Sequence, residues 1–352
     1  MKNKIPVAVL AATGSVGQRF ISLLENHPWF EVVEITASDR SVGKTYQEAC
    51  HWLITDPMPE SVKNLTLLPT EANSLQKSVF AFSALPADIA KNVEPDFARK
   101  GIYVCSNASA YRKDPLVPIL VPEVNANHLD ILDIQQKTYG WSGGIITNPN
   151  CTTCAFVVPL NAIDKAYGVQ KAIVFSMQAI SGAGYPGVAS MDIIDNVIPY
   201  IGGEEEKVEY EPTKIMGSYQ DGEISLHPMV ISAHTNRVAV VDAHTICLSF
   251  STNQKVSKDN IISVLKNYQM PEICIGLPSC PDRGIVYHEA DNRPQPRLDR
   301  NLGRGMSTSV GRIREDSIFD FRMVSLSHNT IMGAAGGSIF NGELLARRKF
   351  GF

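Results

Sequence analysis

The cysteine at position 151 is the residue of this chain with the clearest chemical potential. An apolar, strand-like run at residues 144–146 stops at Pro149. Asn150 then offers a favoured helix N-cap, and a second apolar run follows at residues 155–158. This order predicts that Cys151 begins a helix, where unpaired N–H groups and the positive end of the helix dipole stabilise a thiolate. Cys151 is therefore a candidate nucleophile, although a buried structural cysteine would fit the same local sequence.

A thiolate of this kind could oxidise an aldehyde if a base and a substrate anchor lie beside it. The hemithioacetal that it forms can pass a hydride to a nicotinamide, which leaves a thioester for a second nucleophile. Segment 232–244 supplies His234, Arg237 and His244 as candidate partners. On a straight strand Arg237 and His244 would point to opposite faces and stand about 23 Å apart. Either the chain bends between them or only one of them belongs to the site.

Cys151 and Cys154 also form a C-x-x-C pair, which is a redox or metal-binding pattern. No second C-x-x-C or C-x-x-H pair completes a four-ligand zinc site. A thioredoxin-like motif is expected near the start of a small domain, whereas this pair lies in mid-chain. We therefore expect no metal site and interpret Cys154 as a structural residue.

The start of the chain resembles a nucleotide-binding unit. A buried strand pattern at residues 7–10 is followed by the loop A-A-T-G-S-V-G at 11–17 and by a helical pattern at 19–24. A strand, a glycine turn and a helix in this order are typical of the dinucleotide-binding fold. Ala11 takes the place of the first glycine of G-x-G-x-x-G, and its methyl group would crowd the turn.

The end of the second predicted strand, residues 31–37, indicates which nicotinamide cofactor is bound. Ser38, Arg40 and Ser41 follow this strand. An NAD enzyme typically presents an acid here to the ribose hydroxyls, whereas hydroxyls and an arginine suit a 2′-phosphate. Asp39 is the exception within this segment. The segment favours NADP over NAD.

Composition excludes several classes of protein. The chain has 352 residues, of which 44% are hydrophobic and 19% charged, and its formal net charge is −4. No basic block points to a nucleic acid, and no apolar run approaches the roughly 18 residues that a membrane span needs. The seven cysteines are scattered and odd in number. This pattern is typical of a reducing compartment, so we expect a cytoplasmic protein.

The predicted fold class is α/β, with a Rossmann-like parallel-sheet nucleotide domain plus an α+β catalytic and dimerisation domain. Strand patterns that alternate with helical stretches predict the parallel sheet, which should end near Asn148. The predicted strands lie at 7–10, 31–37, 78–84 and 102–106, with a helix at 86–100. Beyond Cys151 we expect helices at 151–167 and 259–268, strands at 172–178, 229–231, 237–241 and 245–250, and a helical tail at 327–348.

Many short motifs in one order connect the chain to a known family. They are residues 12–18, 106–109 with Arg112, 148–153, 178–185, 204–207, 236–238, 242–244, 293–300, 311–314 and 328–336. Over its whole length the chain resembles the aspartate-β-semialdehyde dehydrogenases of the archaeal and fungal branch. The resemblance implies an NADP-dependent phosphorylating dehydrogenase of lysine, threonine and methionine biosynthesis. Such an enzyme interconverts L-aspartate 4-semialdehyde plus phosphate with 4-aspartyl phosphate.

The resemblance also implies the architecture and the role of each site residue. It places the nucleotide domain at 1–148 with the final helix, 330–352, packed back on it, and the catalytic and dimerisation domain at 149–329 in a homodimer or homotetramer. Cys151 would carry the acyl-thioester, His244 would be the acid/base, and Gln178 would orient the substrate. Arg237 would bind the α-carboxylate and Glu204 the α-ammonium group. Phosphate would contact Arg112, Lys207, Asn150 and Asn107, and the cofactor would contact Thr13, Gly14, Ser15, Val16, Ser38, Arg40, Ser41, Ser83, Gly182 and Asn329.

The nearest alternative is a malonyl-CoA or succinyl-CoA reductase, a paralogous group with the same fold and cysteine that binds no inorganic phosphate. The context of residues 148–151 and the pair Glu204 and Lys207 argue against it. A catalytically silent homologue is disfavoured because the expected Cys, His, Arg and Gln are all present. An enzyme of the glyceraldehyde-3-phosphate type would need a second phosphate site in place of an amino-acid clamp.

Overall fold

The computed structural model describes residues 3–352, and its first half is built around a parallel sheet of six strands. The strands are β1 (Ile5–Leu10), β2 (Phe30–Ala37), β3 (Leu67–Pro69), β4 (Phe80–Ser83), β5 (Tyr103–Ser106) and β6 (Gly144–Thr147). Their order is β3-β2-β1-β4-β5-β6, and all neighbouring strands are parallel. Almost every residue of β1, β4 and β6 is buried, as expected of a parallel sheet covered on both faces.

The helices of this half connect the strands. They are α1 (Ser15–Leu24), α2 (Tyr46–Ala49), α3 (Glu60–Lys63), α4 (Ala87–Arg99), α5 (Pro122–Asn125) and α6 (Leu132–Tyr139). The turn between β1 and α1 is tight. Ala11 has φ +56°, a left-handed conformation that glycine adopts at less cost. A Cβ on Gly17 would lie 2.3 Å from the Ala11 carbonyl oxygen, so only glycine fits there.

The second half is built around a mixed sheet of six strands in the order β10-β7-β11-β14-β13-β12. Its strands are β7 (Val169–Gln178), β10 (Val230–Arg237), β11 (His244–Thr252), β12 (Ile285–His288), β13 (Thr308–Glu315) and β14 (Phe321–Ser327), and β8 (Ser218–Gln220) pairs separately with β9 (Glu223–Ser225). The helices are α7 (Cys151–Cys154), α8 (Val157–Tyr167), α9 (Ser190–Ile193), α10 (Glu204–Ile215), α11 (Lys258–Lys266), α12 (Pro296–Asp299) and α13 (Gly336–Phe350). The two sheets and their helices confirm the predicted fold class.

Helices α8 and α11 pack against the second sheet, and α10 packs against its edge strand β10. Alternate side chains of β7 and β10 are exposed, and the surface that they form is called the open face. On the open face Phe175 is 43% exposed, Met177 38% and Val230 68%. His234 stacks on Phe175 with a ring-centroid distance of 5.0 Å. This face is therefore an apolar surface that the described chain leaves uncovered.

Several predicted elements differ from the structure, and the strand predicted at 229–231 is the longer β10. The helix predicted at 151–167 is divided into α7 and α8 at Phe156, whose φ is −138°. Pro159 then lies in the first turn of α8, where a proline is well tolerated because its missing N–H has no partner within the helix. The strand predicted at 237–241 is absent, since β10 ends at Arg237. The helical tail starts later than the predicted residue 327, because β14 continues to Ser327 and α13 begins only after a π-helical turn at Ile331–Ala335.

The last helix, α13, packs against the first sheet. A Cβ on Gly342 would lie 2.9 Å from the Phe82 ring, and the Phe350 ring meets the Phe80 ring at a centroid distance of 5.6 Å. Asn341 donates to the Leu120 carbonyl oxygen at 3.0 Å. These contacts join the last helix to the first sheet and to the loop of Leu120. The domain boundaries at 148 and 329 stay a prediction. Of the helices in residues 3–352, none has the length and hydrophobicity for a membrane crossing.

Candidate active site

Three candidate site residues lie side by side at one end of the second sheet. Arg237 ends β10 and is paired with Gln178, which ends β7. His244 begins β11, whose next residue, Thr245, pairs with Met177 of β7. Because β7 separates β10 from β11, the chain leaves the sheet after Arg237 and returns at His244. The chain between Arg237 and His244 is therefore a loop and not a straight strand, and Ala243 in this loop has φ +84°.

Cys151 meets His244 at this sheet end. The His244 Nε2 lies 3.2 Å from the Cys151 Sγ. On the other side of the ring, Nδ1 accepts a hydrogen bond from the backbone N–H of Ala179 at 3.0 Å. Since Nδ1 is an acceptor, the proton of the neutral imidazole is on Nε2 and points at the sulfur. The backbone immediately after β7 thus fixes the tautomer of His244.

The charge state of this pair differs from the thiolate that the sequence predicts. Burial, assisted by Glu204, raises the pKa of the Cys151 thiol to about 12, against the opposing effect of Arg112 and Arg237. Burial and the charge of Arg237 lower the pKa of His244 to about 3. The helix start offers little compensation, because α7 has only four residues and the Asn150 side chain already accepts its second and third N–H groups. Both shifts favour a neutral thiol beside a neutral imidazole in the free enzyme.

The raised pKa predicts how Cys151 reacts with iodoacetamide in the free enzyme. Only the thiolate is alkylated, so the rate should still rise about tenfold per pH unit between about pH 7 and pH 9. Mass spectrometry of the Cys151 peptide gives this rate without interference from the other cysteines. Because Glu204 raises the thiol pKa, Glu204→Gln should shift the curve to lower pH. A plateau near neutral pH in the unaltered enzyme would contradict the prediction.

Arg237 is buried with its guanidinium facing the site. Its Nη1 donates to the Ala179 carbonyl oxygen at 2.8 Å, and burial lowers its pKa. A Cβ on Gly182 would lie 2.9 Å from this Nη1 and 3.1 Å from the His244 Cε1. Glycine at 182 therefore allows the loop after β7 to close over both side chains.

Helix α10 brings a second set of charged side chains to Cys151. Glu204 is nearly buried at the start of this helix and accepts from Lys207 at 2.9 Å and from the Asn150 side chain at 2.8 Å. Glu204 and Lys207 are three residues apart, so they lie on one face of the helix. Both line, together with Cys151, a cleft of about 360 Å³.

Arg112 lies at the same cleft and is tied to two partners. Its Nη1 donates to Glu211 Oε1 and its Nη2 to the Asn107 carbonyl oxygen, each at 2.8 Å. Its Nε is buried and has no partner among the described residues, which leaves a donor for an anion. Glu211 was missed by the sequence argument, although it lies two turns after Glu204 on the same face of α10.

The cofactor candidates lie in the cleft of Cys151, around the start of α1 and on the turn after β2. Val16, Gly182 and Asn329 line the cleft with Cys151, and Asn329 is held by the N–H of Ala243 at 2.8 Å. Helix α1 starts at Ser15 without a side-chain cap or an acidic first turn, so its N–H groups suit a phosphate. Ser83 ends β4 at the same sheet edge, and Thr13 and Gly14 form the turn before α1. Ser38, Arg40 and Ser41 lie on a surface turn after β2.

The chain is similar to known proteins over most of its length. A family model described as "Semialdehyde dehydrogenase, NAD binding domain" matches residues 6–132, and another, "Semialdehyde dehydrogenase, dimerisation domain", matches residues 160–332. An aspartate-semialdehyde dehydrogenase of Methanothermobacter thermautotrophicus is 45% identical over 343 residues, which cover 97% of this chain and 99% of the relative. The chain belongs to the aspartate-semialdehyde dehydrogenase family.

Further members of this family agree in sequence and in structure. The aspartate-semialdehyde dehydrogenase of Saccharomyces cerevisiae is 43% identical over 362 residues, 99% of each chain. The crystal structure of aspartate semialdehyde dehydrogenase with NADP from Candida albicans has a TM-score of 0.90 and 41% identity, and it covers 97% of this chain and 98% of the other. Membership of the family confirms the predicted resemblance and the predicted class of enzyme, a dehydrogenase.

Proposed function

We propose that this chain interconverts L-aspartate 4-semialdehyde plus phosphate with 4-aspartyl phosphate, using NADP and a thioester on Cys151. The observation that carries the proposal is the 3.2 Å contact between the Cys151 Sγ and the His244 Nε2, with Cys151 lining the same cleft as Glu204 and Lys207. The names of the relatives and the NADP bound to the Candida albicans protein support the substrate and the cofactor.

The substrate would be held by its amino-acid end. Arg237 presents a guanidinium fork that suits the α-carboxylate, and the Glu204 carboxylate suits the α-ammonium group. Gln178 lies between Arg237 and His244 and would hold the reacting carbonyl group. These anchors place the aldehyde carbon against the Cys151 sulfur, which is the orientation that attack requires.

Substrate binding would also prepare the acid/base. In the free enzyme burial, and after it the charge of Arg237, lower the pKa of His244. An α-carboxylate paired with Arg237 offsets that charge, so the imidazole can take up a proton more readily in the complex. His244 would then exchange the proton that moves between the sulfur, the substrate oxygen and solvent.

NADP would supply or accept the hydride at the carbon bonded to Cys151. Its diphosphate would contact the uncapped start of α1 and the turn of Thr13 and Gly14, and its 2′-phosphate would contact Ser38, Arg40 and Ser41. Ser83, Gly182 and Asn329 would complete the contacts near the ribose and the nicotinamide.

Phosphate would be the second nucleophile, which releases the acyl group from Cys151. Arg112 and Lys207 offer two positive charges at the cleft, and Arg112 has a buried N–H without a partner. Asn107 and Asn150 line the same cleft. A phosphate bound among these donors would lie close enough to the thioester to attack it.

We also propose that two chains pair through the open face of the second sheet. The exposed Phe175, Met177 and Val230 give this face the apolar character of an interface between subunits. The family model over residues 160–332 carries the description of a dimerisation domain. Sedimentation should give at least twice the 38.5 kDa mass of the chain. A homotetramer and a cytoplasmic location stay predictions.

Acceptor dependence tests the proposed reaction against its nearest alternative. Formation of NADPH from L-aspartate 4-semialdehyde is expected to require inorganic phosphate for repeated turnover. Without phosphate we expect a single burst of NADPH no larger than the enzyme concentration, because the thioester cannot be released. Turnover with coenzyme A in place of phosphate would favour the malonyl-CoA or succinyl-CoA reductase alternative.

A further inference from the structure

Glu211 lies at the junction of the two halves of the site. It is 1% exposed and belongs to α10, on the same face as Glu204. Its Oε1 accepts from Arg112 Nη1 at 2.8 Å, and its Oε2 accepts from the backbone N–H of Asn150 at 2.6 Å. One carboxylate thus joins the Arg112 guanidinium, which is proposed to bind phosphate, to Asn150, which caps the helix of Cys151.

Both bonds hold groups that act directly on the reaction. Asn150 is the N-cap of α7, so a shift of its backbone moves the Cys151 that follows. Among residues 3–352, the Arg112 guanidinium would otherwise be held only by the Asn107 carbonyl oxygen at 2.8 Å. Glu211 therefore determines the positions of the nucleophile and of the phosphate-binding cation together.

A carboxylate offers one acceptor oxygen to each of these donors, and the charge of Arg112 opposes the burial that raises the pKa of Glu211. Its two partners are donors that approach different oxygens, and a glutamine would turn its own N–H₂ group toward one of them. A glutamine would also leave the guanidinium without a buried counter-charge. Lys214 lies on the same helix and is also buried. It donates to the carbonyl oxygens of Arg112, Asp114 and Val117, and so holds the segment that carries Arg112.

We propose that Glu211 is a positioning residue that couples the phosphate subsite to the nucleophile. It orients Arg112 toward the incoming phosphate and fixes the start of α7 under Cys151. This inference rests on the proposed phosphate-dependent reaction. It goes beyond that reaction because one buried carboxylate would position the groups that act in both the acylation and the deacylation step.

The test compares Glu211→Gln with the unaltered enzyme in two measurements. The rate of the NADPH burst without phosphate reports acylation of Cys151, and the KM for phosphate reports deacylation. We expect the burst to slow about fivefold and the phosphate KM to rise about tenfold, with NADP affinity unchanged. Glu209→Gln is the matched control, since Glu209 lies on the same helix and accepts one bond from the Ala233 N–H. It should leave both values unchanged.

A double variant separates the two arms of Glu211. In an Arg112→Met background, Glu211→Gln should raise the phosphate KM no further but should still slow the burst. Burst amplitude counts the active enzyme, so both values refer to folded molecules. Glu211→Asp keeps the charge but is one methylene too short to reach both partners, and it should raise the phosphate KM as well.

A structural role alone would lower the burst amplitude or the melting temperature and leave the burst rate and phosphate KM at their original values. That result in both Glu211→Gln and Glu211→Asp would overturn the proposal. If the unaltered enzyme turns over without phosphate, the proposed function itself fails, whatever the variants do. The two failures are therefore distinguished by the parallel measurement on the unaltered enzyme.

Discussion

Cys151→Ser is expected to abolish turnover, with a loss on the order of 10⁴-fold or more. A serine hydroxyl is a much weaker nucleophile than a thiolate and needs a strong base to lose its proton. Burial and the charge of Arg237 lower the pKa of His244 to about 3, so its imidazole is a weak base for a hydroxyl group in the free enzyme. The measurement is NADPH formation from L-aspartate 4-semialdehyde with phosphate, together with the burst in its absence. Both should vanish while the melting temperature stays close to its original value.

The matched control is Cys154→Ser. Cys154 is the other member of the C-x-x-C pair, but it is buried away from the cleft of Cys151. The burst of Cys154→Ser should therefore keep its rate. If Cys154→Ser abolished turnover as completely as Cys151→Ser, the redox interpretation of the pair would replace the thioester mechanism.

Arg237→Met is expected to lower kcat/KM for L-aspartate 4-semialdehyde on the order of 10²- to 10³-fold. Removing one partner of a buried, hydrogen-bonded charge pair costs about 3–4 kcal/mol, which corresponds to that factor. Arg237→Lys should recover only part of the loss, since an ammonium group lacks the planar fork that matches a carboxylate. Steady-state kinetics of the three proteins give the comparison.

A truncated substrate shows whether this loss comes from the α-carboxylate. 3-Aminopropanal keeps the aldehyde and the amine but has no α-carboxylate, so Arg237→Met should scarcely change its kcat/KM. In addition, the pKa of His244 should rise in Arg237→Met, because the positive charge that lowers it has gone. An equal loss for both aldehydes would show that Arg237 supports the fold of the site instead of binding the carboxylate.

Local sequence signals were sufficient for the nucleotide turn and for the position of Cys151. Ala11, Gly14 and Gly17 lie within seven residues after a buried strand, and the structure places the predicted tight turn there. Asn150 and Cys151 are adjacent, so the predicted cap and helix start needed no information from elsewhere in the chain. Each signal involves only the backbone of its own segment, which is why it can be read without the fold.

The sequence by itself therefore determined the class of fold, the nucleotide turn and a cysteine at a helix start. Only the tertiary structure decided what surrounds that cysteine. His244 is 93 residues from Cys151, and Glu211 is 61 residues from Asn150 and 99 from Arg112. The strand order β10-β7-β11 places Arg237 and His244 on either side of β7. The spacing of apolar residues along the sequence does not reveal this order. Burial then raised the thiol pKa that the helix start alone would lower, because desolvation depends on every element packed around the site.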